Sequence, residues 1–175
     1  MNTEEFLLMN KKKLESYINE NYVAEIDKAP IFECFKMSSI DLGISEDCLE
    51  SSGRSLDDLL EHIDDTFQQS MFYHIDSKHL DEVEVYNAAH IDRRLFSKIR
   101  SNKNYKPSKK TAICICFGLK LNLDETLDLL EKAGYTLSHS SKADLIIEYF
   151  ITIKEYNLTI LNEVLFEYGE ETLYV

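Results

Sequence analysis

The sequence predicts an all-α protein, and three observations carry that prediction. Its 175 residues include only five Gly and two Pro, so few points interrupt a helix. Apolar residues recur at steps of three and four along most of the chain. Ser, Asp or Asn stands directly before several of these runs, where a side-chain oxygen can cap the first turn. A hydrophobic content of 44% belongs to a packed chain rather than a disordered one, and ten Tyr and nine Phe without Trp predict an aromatic-rich core.

In chain order, Phe6, Leu7, Leu14, Tyr17, Ile18 and Tyr22 mark an amphipathic helix over 3–28, with Lys11, Lys12 and Lys13 on its solvent side among acidic neighbours. Residues 29–55 contain Pro30, Gly43 and Gly53 without a sustained period and read as an irregular connection. Ser55 can cap a long helix whose stripe runs Leu56, Leu59, Leu60, Ile63, Phe67, Met71, His74 and Ile75 and ends near Lys78. Asp81 starts a short helix, DEVEVYNAA, with Glu84 as its capping-box partner. His90 and Ile91 form a turn, with His90 in the left-handed region, and Asp92 caps RRLFSKIRS, whose inner face is Leu95, Phe96 and Ile99.

After a loop at 102–107, Ser108 caps a helix through Lys120 whose inward side is Ile113, Cys116, Phe117 and Leu119. Residues 123–132 form the next helix, stopped by Gly134. Ser141 caps another, with Leu145, Ile146, Tyr149, Phe150 and Ile153 inside, and a last helix after Asn157 turns Ile160, Leu161, Val164, Leu165 and Tyr168 inward. The organisation is therefore an N-terminal helix with an irregular connection (1–54), a helical core (55–135) and a C-terminal helical extension packed on it (136–175).

Several function classes find no support in these residues. The N-terminal MNTEEFLLMNKKK lacks the layout of a secretory signal, and the most apolar later stretch, 145–153, is short and interrupted by Glu148. A cytoplasmic protein without a membrane partner is expected. Cys34, Cys48, Cys114 and Cys116 are too scattered for a disulfide framework, and the last two point to different faces of a helix, so they read as free thiols rather than metal ligands. The histidines at 62, 74, 79, 90 and 139 form no metal-binding or triad spacing, and no phosphate-binding glycine loop occurs. Neither an enzyme, a metal nor a cofactor is expected.

Charge gives the positive signal. From Arg93 to Lys110 there are eight Lys or Arg and no Asp or Glu, while the other positions hold 11 basic against 32 acidic residues, a formal balance of −21 in a chain of net charge −13. A local inversion of that kind, interleaved with the core residues Leu95, Phe96 and Ile99, marks a folded surface kept positive for an anionic partner. Two short helices joined by a tight turn, the second basic, form the helix-turn-helix pattern. Lys109 and Lys110 lie in a first helical turn, where they oppose the helix dipole at a cost of roughly half a kcal/mol each, which implies compensation from outside that helix.

The stretches EVYNAAHIDRRLFSKIRSNKNYKP and TAICICFGLKL resemble the lambda-repressor-like, or XRE-like, helix-turn-helix family of bacterial and phage regulators, over about 66–134. They are most similar to a bacterial subgroup found alone or appended to macro domains. The resemblance implies a five-helix core with extra N- and C-terminal helices and a transcriptional regulator or repressor that binds double-stranded DNA, with the helix starting at Arg93 in the major groove. It implies base contacts from Arg93, Arg94, Ser97 and Lys98, and backbone contacts from Arg100, Asn102, Lys103, Tyr105, Lys106, Lys109 and Lys110. Many relatives act as symmetric dimers, and the helices after Leu123 are the candidates for that contact. Two positions depart from the family: Glu82 replaces a Gln that bonds a phosphate, and Tyr86 replaces an Ala. Glu82 and the net charge leave a second reading, a protein-interaction adaptor that keeps the fold without operator binding.

Overall fold

Eight helices and no strand make up the described part of the chain, residues 3–23 and 65–174 of a computed structural model. They are α1 (Thr3–Asn21), α2 (Phe67–Ser77), α3 (Glu82–Ala88), α4 (Arg93–Ser101), α5 (Lys109–Gly118), α6 (Leu123–Lys132), α7 (Lys142–Thr152) and α8 (Leu158–Glu167). The described residues are thus all-α and belong to one compact unit. No helix among them is long and apolar enough to cross a membrane.

Side-chain caps set the helix starts. Thr66, Asp81, Asp92, Ser108, Asn122, Ser141 and Asn157 each accept a first-turn backbone N–H, satisfying donors that have no partner within the helix. The expected caps at Asp81, Asp92, Ser108 and Ser141 are in place. Asp81, however, reaches the Val83 N–H without a reciprocal bond from Glu84, so the expected box there is a simple cap. Full capping boxes form instead at Thr66 with Gln69 and at Asn122 with Glu125.

Helix ends follow one rule. His79, His90, Lys120, Gly134, Lys154 and Gly169 have φ between 49° and 83°, and each directly follows the C-cap of α2, α3, α5, α6, α7 or α8. The next N–H reaches back to the carbonyl three residues before the cap, as in Leu80 to Ile75, Ile91 to Tyr86, Leu121 to Cys116 and Tyr135 to Leu130. This is the Schellman motif, used six times, four of them without Gly. The left-handed turn residue expected at His90 and the stop expected at Gly134 are two of these.

Other elements differ from expectation. α1 ends at Asn21 rather than near residue 28, with the Asn21 amide donating to the Tyr17 carbonyl. The helix holding Phe67, Met71, His74 and Ile75 starts at the Thr66 cap, which bounds the long stripe expected from Ser55; Ser55, Leu56, Leu59, Leu60 and Ile63 lie outside the described residues. α5 buries every residue from Thr111 to Gly118 rather than one face, because KKTAICICFG offers no charged side chain after its first turn. α7 also buries Ile147 and Ile151, whereas Ile153, expected inside, is the C-cap and is exposed.

Packing places α5 at the centre, against α3 and α6, while α2 lies on α6. Gly118 permits the α3–α5 crossing: a Cβ there would lie 2.7 Å from the Val85 carbonyl oxygen and 2.9 Å from the Ala89 Cβ. α7 and α8 pack on each other and on α1, which returns the first helix to the C-terminal end of the unit. The Phe6 and Phe150 rings stack with centroids 4.9 Å apart. The Tyr17 hydroxyl donates to Glu148 Oε1 at 2.7 Å, and Glu148 Oε2 lies 3.1 Å from His139 Nε2. Burial and the Glu148 carboxylate push the Tyr17 phenol up to about 12. Phe6, Phe67, Phe117 and Phe150 are almost fully buried, each contributing on the order of 1.5–3 kcal/mol through apolar surface removed from water.

Candidate nucleic-acid interface

The basic stretch forms α4, the loop after it and the first turn of α5. In α4 the apolar positions fall at Leu95, Phe96 and Ile99, one side of a 3.6-residue period, and this side is drawn into the core. Ile99 is fully buried, Phe96 nearly so, and Leu95 partly. Phe96 is held by the rings of Tyr86 from α3 and Phe72 from α2, at 5.6 Å and 6.2 Å between centroids. Tyr86 thus fills the α3–α4 contact with an aromatic pair.

With that side fixed, Arg93, Arg94, Ser97, Lys98, Arg100 and Ser101 occupy the exposed side of α4. Asp92, the acid next to them, is engaged as N-cap, accepting the Arg94 N–H at 2.6 Å. Arg93 and Arg94 are exposed and form no ion pair among the described residues, and the same holds for Lys103 and Lys106 in the loop. Lys98 lies over the Tyr105 ring, 5.4 Å from its centroid, close enough for a cation–π contact. The loop is shaped by Asn102, whose carboxamide oxygen accepts the Asn104 N–H, and by Pro107, which is buried.

Three cations of the stretch are already paired. Arg100 Nη1 meets Glu82 Oε2 at 2.9 Å, and the Arg100 carbonyl accepts from Gln68 Nε2 at 2.7 Å, which ties the end of α4 to α2. Lys109 Nζ meets Asp144 Oδ2 at 2.6 Å; that carboxylate is nearly buried and also accepts the Ser138 N–H. Lys110 Nζ meets Glu171 Oε1 at 2.6 Å. The compensation expected for cations in the first turn of α5 therefore comes from carboxylates of the same chain. No protein-family model, curated protein or solved structure matches the chain.

The eleven residues expected as contacts thus separate into three sets. Arg93, Arg94, Ser97 and Lys98 share one exposed helix side; Asn102, Lys103, Tyr105 and Lys106 form the adjoining loop; Arg100, Lys109 and Lys110 carry acidic partners. Glu82, which departs from a phosphate-bonding Gln in the resemblance above, pairs with Arg100. Eighteen positions separate the two, so no local spacing signals the contact. Between α3 and α4 lies a groove of about 370 Å³ lined by Glu82, Val83, Tyr86, Arg93, Ser97 and Arg100.

Burial holds the Cys114 and Cys116 thiols well above their ordinary range, and Cys114 Sγ donates to the Leu173 carbonyl. Thiols kept protonated in this way are poor nucleophiles and poor ligands. No group of three or more metal-ligating side chains occurs among the described residues.

Proposed function

We propose that this chain is a sequence-specific DNA-binding protein, a transcriptional regulator with α2 to α6 as a lambda-repressor-like five-helix core. The observation that carries the reading is the outer side of α4, where Arg93, Arg94 and Lys98 stand exposed without an acidic partner among the described residues, beside Lys103 and Lys106. α4 enters the major groove, and Arg93 and Arg94 at its N-terminal end read base edges, Arg being the side chain that pairs bidentately with guanine O6 and N7. Ser97 and Lys98 lie one turn further along. Asn102, Lys103, Tyr105 and Lys106 grip the sugar-phosphate backbone, which sets affinity and salt dependence. Lys109 and Lys110 take a supporting place here, holding Asp144 and Glu171.

The test is selection of bound fragments from a random duplex pool, followed by anisotropy titration of the winner in rising salt. Lys103 and Lys106, the cations assigned to phosphates, give a log–log slope of about −2. Arg93→Ala with Arg94→Ala should abolish preference among sequences. Lys103→Ala with Lys106→Ala should weaken all duplexes alike and flatten the slope by about two. Absence of binding at low salt would put the adaptor reading in front, in which the same surface docks an acidic protein. The net charge of −13 favours that second reading.

A further inference from the structure

We infer that Glu82 masks Arg100 from phosphate, so that this protein carries a built-in restraint on non-sequence-specific DNA affinity at the surface proposed above. The inference rests on that DNA-binding reading and concerns how strongly the surface holds any duplex at all. Glu82 is the first residue of α3 and Arg100 lies in the last turn of α4. Both line the groove between these helices, together with Arg93 and Ser97 from the exposed side of α4. The pair is 2.9 Å long, with side-chain exposures of 31% for Glu82 and 63% for Arg100. Arg100 is therefore in solvent and within reach of a phosphate that approaches Arg93, but its charge is engaged.

A surface ion pair of this exposure is worth little to folding, so stability gives a weak reason for an acid at that place. Glu82 does complement the dipole at the start of α3, but Asp81 already caps that helix and Glu84 adds a second acid to its first turn. What Glu82 does besides is oppose the charge of Arg100, the α4 cation with which it pairs. On non-cognate DNA, where the gain is the release of counterions by each cation that meets a phosphate, one such contact is withheld. Base contacts from Arg93 and Arg94 are untouched, so the ratio of specific to non-specific affinity rises.

The experiment is a double-mutant cycle on the full chain, reading affinity for a non-cognate duplex against salt. Glu82→Ala should raise affinity by about fivefold at moderate salt and steepen the slope by about one, the signature of one added phosphate contact. Arg100→Ala should leave the wild-type slope unchanged. In the Arg100→Ala background, Glu82→Ala should lose its effect. A gain that persists without Arg100 would mean that Glu82 acts by simple repulsion, and an unchanged affinity in Glu82→Ala would mean that no masking occurs; either overturns the inference. Loss of all DNA binding by the wild-type chain would overturn the proposed function instead. Circular-dichroism melts of each variant confirm that the fold is intact.

Discussion

Gly118 gives the sharpest test of how α3, and with it α4, is held. Gly118→Ala would place a Cβ 2.7 Å from the Val85 carbonyl oxygen, 2.9 Å from the Ala89 Cβ and 3.1 Å from the Ala89 nitrogen. Two of these three atoms are backbone, and the Val85 carbonyl already accepts the Ala89 N–H at 2.9 Å, so no side-chain rotation relieves the contact. α3 must move as a body or its last turn must open. Overpacking of this kind costs roughly 1–3 kcal/mol, with the upper end apt where backbone must shift. The better helix propensity of Ala returns up to about 1 kcal/mol. A net loss of about 2 kcal/mol follows, which lowers the thermal midpoint of a chain this size by about 4–8 °C. Urea unfolding followed by circular dichroism measures it directly. Because the last turn of α3 leads through His90 into α4, DNA affinity should fall as well. A Gly118→Ala protein as stable as the wild type would show that α3 and α5 do not cross at this point, and the argument for the placement of α4 would go with it.

Other perturbations separate structural from binding roles. Lys109→Ala leaves the nearly buried Asp144 carboxylate with only the Ser138 N–H; discounted for the partial exposure of Lys109, the loss is roughly 1–3 kcal/mol in urea melts, whereas Lys103→Ala should leave the midpoint unchanged. Gly in place of His79, Lys120 or Lys154 relieves a left-handed conformation that disfavours L side chains, and each change should stabilise by about 0.5–1 kcal/mol; destabilisation at all three would contradict the helix ends described above. Burial lowers the His74 pKa, with Glu125 drawing it up and Lys78 pushing it down, so the unfolded chain takes up this proton at higher pH than the folded one. The corresponding stability is complete above about 6.5 and is lost as the pH falls below it, so urea midpoints should drop from pH 7 to pH 5, less so in His74→Gln.

The sequence was most informative where physics is local. Caps at Asp92, Ser108 and Ser141 are single residues beside their own helices, and the Gly134 stop depends on one dihedral angle, so each could be read from a few neighbouring letters. The exposed side of α4 was legible for the same reason: Leu95, Phe96 and Ile99 fix which side is inside, and the cations take what remains. Long-range pairs were not legible. Whether Lys109 faces a phosphate or Asp144 depends on where α7 begins in space, 35 positions later, and whether Glu82 repels DNA depends on the 18-residue reach to Arg100. α5 misled because its apolar letters follow one another without period; a helix buried all round has no stripe to read.

The placement of carboxylates bears on how an acidic protein could approach DNA at all. Among the described residues, four acids that touch the basic stretch are each locally engaged: Asp92 with a backbone N–H, Glu82 with Arg100, Asp144 with Lys109 and Glu171 with Lys110. Repulsion therefore comes from the remaining charge, acting at a distance, and salt screens it within about 8–10 Å at ordinary ionic strength. On the proposed DNA-binding reading, attraction comes from Arg93, Arg94, Lys98, Lys103 and Lys106 at contact, where dissociation is governed by counterions returning to the phosphates. Salt should thus raise both rate constants, with opposite effects on affinity. From low to moderate salt the association rate should rise severalfold as the long-range repulsion is screened, while dissociation accelerates throughout. Stopped-flow anisotropy on the selected duplex measures both. An association rate that falls steadily with salt, as for a partner drawn in by steering, would show that the field of the whole molecule is set by the basic surface rather than by its net charge of −13, and the separation of near and far electrostatics argued here would be wrong.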